Sequence, residues 1–362
     1  MKVLKILYIE DDKENQKDLQ DVLDGISIKD MTISINCLES FDVEECQFNQ
    51  YHIVILDLFE GVAGNNGKES GLDVLNHIRG KLFVPIIFFS GNTRSIVSLR
   101  SQVIGVATKG DGGFDELKSE ILRLTAHNLP FLKERVYDYI EKEFQKYFWD
   151  VIQDQNDKFN PEDDDFSLGY MLLRNFGNSL SRNNISKLLE DDSINADKVH
   201  PMAFYLYPLP DDCEYECGEI LKHEGKDGDV YVILTPTCDF VARSKGGRKA
   251  KRVLLAKAQL LKDRAEYKKY IENVDKNKGA LIELVRSKND RFFFLPGTPF
   301  IENRVVDFQD KIMVEYECLN SDFVRIAKLD TPFAQAMATS FIRYYNRIGF
   351  PDIDMEYILA HL

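Results

Sequence analysis

Five short apolar runs punctuate the first 125 residues, and they constrain the fold of this chain more than any other feature. They are KILYI (5–9), TISIN (32–36), IVIL (53–56), PIIFF (85–89) and VIGVA (103–107). Three or four are apolar on both faces, which a half-solvated strand is not. Between and after them lie ENQKDLQDVL, GLDVLNHIR, TRSIVSLRSQ and FDELKSEILRL, with apolar residues at helical spacing. Strands with no polar face, alternating with amphipathic helices, predict a doubly wound parallel α/β sheet covered on both sides.

In such a sheet the loops leaving the carboxyl ends of the strands gather on one edge. Four of those ends carry reactive groups: YIEDD ends in Glu10 and Asp11, IVIL delivers Asp57, FFSGN gives Ser90, and VATKGD gives Lys109. A single acid after a strand is commonly a helix cap or turn residue. All four together describe one chemistry. Clustered carboxylates are hard oxygen ligands for Mg²⁺. A carboxylate can take up a phosphoryl group, and an ammonium and a hydroxyl can hold the phosphoryl oxygens.

This set resembles the receiver domain of two-component response regulators, over roughly residues 3–126. The resemblance implies a five-stranded parallel sheet of order 2-1-3-4-5 flanked by helices. It implies Asp57 as phosphoacceptor from a histidine kinase or phosphotransfer protein, with Ser90 and Lys109 responding to phosphorylation. It also implies a Mg²⁺ site at the acidic pair Glu10 and Asp11, with Asp11 and Asp57 as direct ligands along with the backbone carbonyl of Phe59. Three departures accompany it. The stretch EGVAGNNGKES (60–70) makes the loop after Asp57 several residues longer than is usual, Val106 stands where many receivers carry an aromatic residue, and Lys109 precedes Gly110 rather than proline. The apolar side chain of Phe59 cannot orient a hydrolytic water, which implies a long-lived phosphoryl group.

A length of 362 residues exceeds one ordinary core. We expect a receiver over 1–127, a helical linker region over 128–195 and a β-rich α+β output domain over 196–362. The linker contains PFLKERVYDYIEKEFQKYFWDVIQD, opened by Pro130. Ser167 or Asp165 is a plausible cap for the helices that follow. Beyond Pro201 the runs MAFYLYPLP, DVYVILTPT, RVLLAKAQLL, GALIELVRS, RFFFLPG and KIMVEYECL read as strands, and a curved SH3-like barrel accommodates them. TPFAQAMATSFIRYYNRIG reads as a last helix stopped at Gly349.

No helix-turn-helix pattern, glycine-rich nucleotide loop or HEXXH motif stands out in the second half. The output candidate is the polar cluster Thr235, Thr237, Cys238 and Asp239, followed by the basic residues Arg243, Lys245, Arg248, Lys249, Lys251 and Arg252. It reads either as a hairpin with a solvated charged loop or as an anion site for phosphate or nucleic acid. Cys213, Cys217, His223 and Cys238 have poor spacing for zinc. Cys238 as a nucleophile needs a base such as His200 or His223.

A net charge of −14 argues against nonspecific binding of nucleic acid or anionic lipid by the whole molecule. Six scattered cysteines, a start with no signal-peptide pattern and no apolar run long enough to span a bilayer lead us to expect a cytoplasmic protein without a membrane partner. Two alternatives to a phosphorylation-controlled output domain stay open. One is a receiver-switched, nuclease-like effector enzyme using the basic loop, and the other is a phosphorylation-dependent scaffold. A homodimer is compatible with each.

Overall fold

Strands β1 (Lys2–Ile9), β3 (Met31–Leu38), β4 (Ile53–Leu56), β5 (Ile86–Ser90) and β6 (Ile104–Thr108) coincide with the five apolar runs, in a computed structural model. It describes residues 2–40, 50–58, 75–76, 78–79, 83–126, 128–154, 167–191, 198–210, 213–225, 228–243, 247–347 and 353–362. The chain divides into two compact units, Met1–Ala196 and Asp197–Leu362. Both are mixed α/β, each built on one sheet.

The sheet of the first unit runs β2-β3-β1-β4-β5-β6. It has six strands rather than the five expected. The extra one, β2 (Ser27–Ile28), is a two-residue edge strand paired antiparallel to β3, and all other pairs are parallel. Strand pleating sends alternate residues to opposite faces. Ile6, Tyr8, Ile53, Ile55, Ile87, Phe89 and Ala107 enter one core, while Leu7, Ile9, Val54, Leu56, Phe88 and Val106 enter the other. Burial on both sides explains why β4, β5, β6 and the end of β1 have no polar face, whereas β3 exposes Ser34 and Asn36.

Helix α1 (Lys13–Leu23) is capped by Asp12, whose carboxylate accepts from the amides of Glu14 and Asn15. Its Leu19 and Leu23 join the first core with Leu117, Ile121 and Leu124 of α2 (Gly113–Thr125). The helix expected over 93–102 is absent. That segment forms a turn followed by a 3-10 helix, Val97–Leu99. Asn92 caps the Arg94 amide, and the Ser101 hydroxyl accepts from the amides of Val103 and Ile104. Such side-chain bonds compete with a regular helix.

Within the same unit α3 (Leu129–Lys146) continues as a π-helical segment, Tyr147–Gln153, and is followed by α4 (Leu168–Ser179) and α5 (Arg182–Leu189). Ser167 caps α4, accepting from the Tyr170 amide. Asp165 lies outside the described residues. The Tyr139 hydroxyl donates to Ser179, and Glu190 receives both Lys2 and Arg135 at 2.7 Å, which ties the end of α5 back to α3 and β1.

The sheet of the second unit comprises β7 (Tyr205–Leu206), β8 (Glu219–His223), β9 (Val230–Ile233), β10 (Arg252–Leu260), β11 (Phe292–Leu295), β12 (Arg304–Glu315) and β13 (Phe323–Leu329). They run in linear order β11-β12-β10-β9-β8-β13-β7, antiparallel throughout. Register shifts at Ala256/Ala258 and Arg325/Ala327 bend it. Again both faces are covered: Ile220, Val230 and Val232 lie in one core, Leu221, Tyr231 and Ile233 in the other.

GALIELVRS is not a strand. It falls in α7 (Val274–Val285), which follows α6 (Ala265–Glu272) and is capped by Asn273 accepting from the Lys276 amide. Leu281 and Leu284, three apart, pack together beneath the sheet. KIMVEYECL is the end of β12 plus the short α8 (Cys318–Asp322). The last expected helix is α9 (Phe333–Tyr345), and α10 (Met355–Ala360) follows it. The proposed stop at Gly349 lies outside the described residues. No helix among the described residues is long and apolar enough to cross a membrane.

Candidate functional site

Asp57 follows directly on β4, and its amide donates to the carbonyl of Ile9 at the end of β1. The register pairs Ile9 with Leu56, so Glu10 and Asp57 leave the sheet side by side. Alternation also fixes direction: Tyr8, Ile55 and Ala107 share one core face, and Glu10, Asp57 and Lys109 each stand two residues further along the same strands.

Lys109 comes from the far side of the sheet, just past β6. Its Nζ lies 2.5 Å from Glu10 Oε2 and 3.0 Å from Asp57 Oδ2. The other oxygen of Asp57, Oδ1, accepts from the Leu58 amide at 2.6 Å. The Glu10 side chain is 1% exposed, against 16% for Asp57 and 19% for Lys109, so Asp57 is the carboxylate a reagent can reach. Ser90 is buried at the end of β5, and its carbonyl accepts from the Lys109 amide. Asp11 is exposed, one residue beyond Glu10. The hydroxyls of Thr93 and Thr108 meet at 3.0 Å beside this edge.

Three participants escaped sequence reasoning. The Tyr8 hydroxyl donates to Glu10 Oε2 at 2.5 Å, Asn15 Nδ2 donates to Glu10 Oε1 at 3.0 Å, and Gln16 donates to the Glu10 carbonyl. The signal for Tyr8 was its two-residue offset from Glu10, which puts both side chains on one strand face. Asn15 and Gln16 are legible only as first-turn residues of the helix that follows the acids. Burial, with the Glu10 carboxylate beside it, drives the Tyr8 phenol far above its usual pKa and keeps it a hydrogen-bond donor.

Among the described residues no group of three or more His, Cys, Asp or Glu side chains is placed to hold a metal ion. Mg²⁺ asks for less, since it keeps several waters and is held by one or two carboxylates. The part-exposed Asp57 and the exposed Asp11 fit that requirement. Glu10 is the buried acid of the set, and its oxygens, like both of Asp57, already accept from protein donors. Phe59 and the insertion 60–70 lie outside the described residues. The peptide bond after Lys109 is not cis. Among the described residues the cis bonds are Tyr207–Pro208 and Thr331–Pro332.

In the second unit the polar segment after β9 is committed to local structure. The Thr235 hydroxyl accepts from the Leu254 amide at 2.8 Å, and the Thr237 hydroxyl accepts from the Cys217 amide at 3.1 Å. The Asp239 carbonyl accepts from the amides of Lys249 and Ala250. Arg248 donates to the Phe240 carbonyl, pairs with Glu214 at 3.4 Å and stacks on Tyr316. Arg252 pairs with Glu315 at 2.8 Å. Lys251 is exposed, and Lys245 lies outside the described residues.

Cys238 is exposed, but both candidate bases are engaged locally. His200 Nδ1 accepts from the Met202 amide, and His223 Nδ1 accepts from the Gly225 amide with its ring against Phe323. Burial pushes the Cys217 thiol up to about 11, which disfavours the thiolate that zinc or catalysis needs. The strongest polar cluster here is one that the sequence did not announce. Arg325 forks onto the buried Glu219 with two contacts of 2.8 Å and reaches Cys213 Sγ at 3.0 Å.

A scan of the chain against models of known protein families found no match, and a search of the curated proteins found none.

Proposed function

We propose that the first unit is a receiver-type phosphoacceptor. The observation that carries this reading is the Lys109 ammonium standing between the Glu10 and Asp57 carboxylates at the carboxyl edge of a parallel sheet. The strand order supports it: apart from the two-residue β2, the sheet runs β3-β1-β4-β5-β6, the 2-1-3-4-5 order that the resemblance implies. An oxygen of Asp57 attacks the phosphorus of a phosphohistidine on the donor kinase. The phosphorus–nitrogen bond breaks, the imidazole leaves, and an acyl phosphate remains. Lys109 neutralises a phosphoryl oxygen as charge builds there, and the Leu58 amide fixes the attacking carboxylate. Asp57 and Asp11 are the residues that would hold Mg²⁺, which would supply charge neutralisation at the phosphoryl oxygens.

We read the second unit as an output module that binds a partner, its packing or assembly answering to the state of Asp57. The engaged hydroxyls of Thr235 and Thr237 and the paired Arg248 and Arg252 favour binding over a nuclease-like activity in that segment.

The test is labelling by phosphohistidine kinase or acetyl phosphate with Mg²⁺, in wild type and Asp57→Asn, followed by size measurement with and without beryllofluoride. Label lost in Asp57→Asn supports the assignment, and equal label in both sinks it. A mass unchanged by beryllofluoride argues against control through assembly and leaves the acceptor reading intact.

A further inference from the structure

Helices α3 and α4 of the first unit leave one side of their pair bare. Phe144 and Phe176 meet edge to face where the helices touch, ring centroids 5.6 Å apart, and the Tyr139 ring tilts onto Phe176 as well. Residues at helical spacing from those two rings are their neighbours on the surface. On the α3 side they are Tyr137, seven residues before Phe144, and Phe148, four after it, with Trp149 edge-on to Phe148. On the α4 side Leu173 and Leu180 stand three before and four after Phe176, and Tyr170 lies a turn before Leu173. These six apolar or aromatic side chains are between 39% and 65% exposed.

Gly177 belongs to the same stripe, four residues after Leu173 and three before Leu180. A β-carbon built on it would meet nothing within 4 Å. Glycine inside a helix destabilises it relative to alanine, and no described neighbour within the chain uses the space it leaves. A second helix crossing closely at that point would use it, because backbones approach one another only where no side chain intervenes.

We propose that this face is a two-fold interface between copies of the chain, each α3–α4 pair packing on its counterpart as a four-helix bundle. Area, charge and symmetry select a second copy as the occupant. Half-exposed aromatic and leucine side chains offer roughly 100 Å² each, so the six give about 600 Å² per copy and about 1,200 Å² across both. That total reaches the size of a stable interface, and each share matches the largest patch usual on a monomer. The stripe Tyr170, Leu173, Gly177 and Leu180 holds no charge, and Arg174 is the one charged residue of α4. A like surface therefore meets it without repulsion, although the chain as a whole carries a net charge of −14. An antiparallel crossing at Gly177 sets Leu173 of each copy near Leu180 of the other, the self-complementary pattern that a two-fold axis requires.

Analytical ultracentrifugation of the full, unphosphorylated chain across a dilution series tests this, with circular dichroism to show that each variant is folded. Wild type should be a dimer that dissociates on dilution. Leu173→Glu, which buries a charge at the centre, should weaken association about a hundredfold or more, and Phe148→Ser about tenfold. Gly177→Ala separates an interface from a merely local role. It should raise the melting temperature of the dilute monomer, as a better helix former, and yet weaken the dimer about tenfold by holding the helices apart. Should Leu173→Glu fail to fold, Gly177→Ala still decides, since its added methyl meets nothing within one copy.

A wild type that stays monomeric up to its solubility limit overturns the inference, and so does a dimer that all three substitutions leave intact. In such a monomer, hydrogen exchange slowed along α4 would show that another part of the same chain covers the face. None of these outcomes bears on whether Asp57 accepts a phosphoryl group, which the labelling experiment decides separately.

Discussion

The ammonium of Lys109 lies 3.0 Å from a carboxylate oxygen of Asp57, although 52 residues separate them in the chain. Only the closing of β1, β4, β5 and β6 into one sheet makes that contact. The pair is also asymmetric: Asp57 keeps access to solvent, while Glu10, on the other side of the same ammonium, has almost none.

Removing the cation leaves Glu10 buried with neutral donors alone. Lys109→Met should therefore destabilise the first unit by about 3 kcal/mol, the cost typical of stranding one partner of a buried pair. Urea denaturation followed by tyrosine fluorescence measures it. A loss below about 1 kcal/mol, the level of a surface pair, would mean that the ion pair does not hold the site together.

Gly113 opens α2, and a β-carbon there would collide with the carbonyl oxygen of Thr108, the residue before Lys109. Backbone cannot rotate away as a side chain can. Gly113→Ala should cost about 2 kcal/mol, within the range for overpacking, and lower the labelling of Asp57 by moving the Lys109 loop. Unaltered labelling in a folded variant would show that the loop absorbs the change elsewhere.

Burial pushes the Glu219 carboxyl above its usual range, and the Arg325 guanidinium pulls it back only in part. A raised carboxyl contributes stability that is present at low pH and lost as pH rises through the folded-state value. Arg325→Met removes the opposing pull, so the variant should be closest to wild type near pH 5 and fall behind by about 3 kcal/mol near pH 8. Thermal melts across that interval test the sign. A variant that instead loses more ground in acid would refute the assignment.

In the first unit, burial pulls the His52 imidazole below its ordinary value of 6.5, against the opposing pull of Glu134. Its Nδ1 accepts from the Lys5 amide, which requires the neutral ring, and Nε2 meets Glu134 of α3 at 3.4 Å. A lowered histidine contributes stability that is full above the unfolded pKa and lost as pH falls through the folded one. His52→Gln keeps an acceptor and abolishes the titration. Denaturant midpoints should then decline less between pH 7 and pH 5 than in wild type, and equal declines would count against it.

The sequence alone was enough for the five parallel strands of the first unit, though not for the two-residue β2, and for the ends where Asp57, Ser90 and Lys109 sit. A strand buried on both faces has no polar residue to confuse its limits, and alternation sets the direction of the residue just beyond it. It was not enough for 93–102, where the Ser101 hydroxyl and Asn92 offer the backbone bonds that a helix would otherwise make. Nor was it enough for 274–285, whose apolar run suits either structure until Asn273 caps it and Leu281 and Leu284 find the sheet. In the second unit β8 and β13 pass unnoticed because both carry charged residues. Arg325 and Glu219 lie in those strands and satisfy one another across the pair.

The sequence by itself therefore determined which groups reach the reactive edge, since pattern and periodicity are local properties. Tertiary structure decided what each group does there. Glu10 looks like one acid of a pair until Tyr8, Asn15 and Lys109 converge on it from three elements. Contacts between residues distant in the chain depend on packing, and packing has no period to be read.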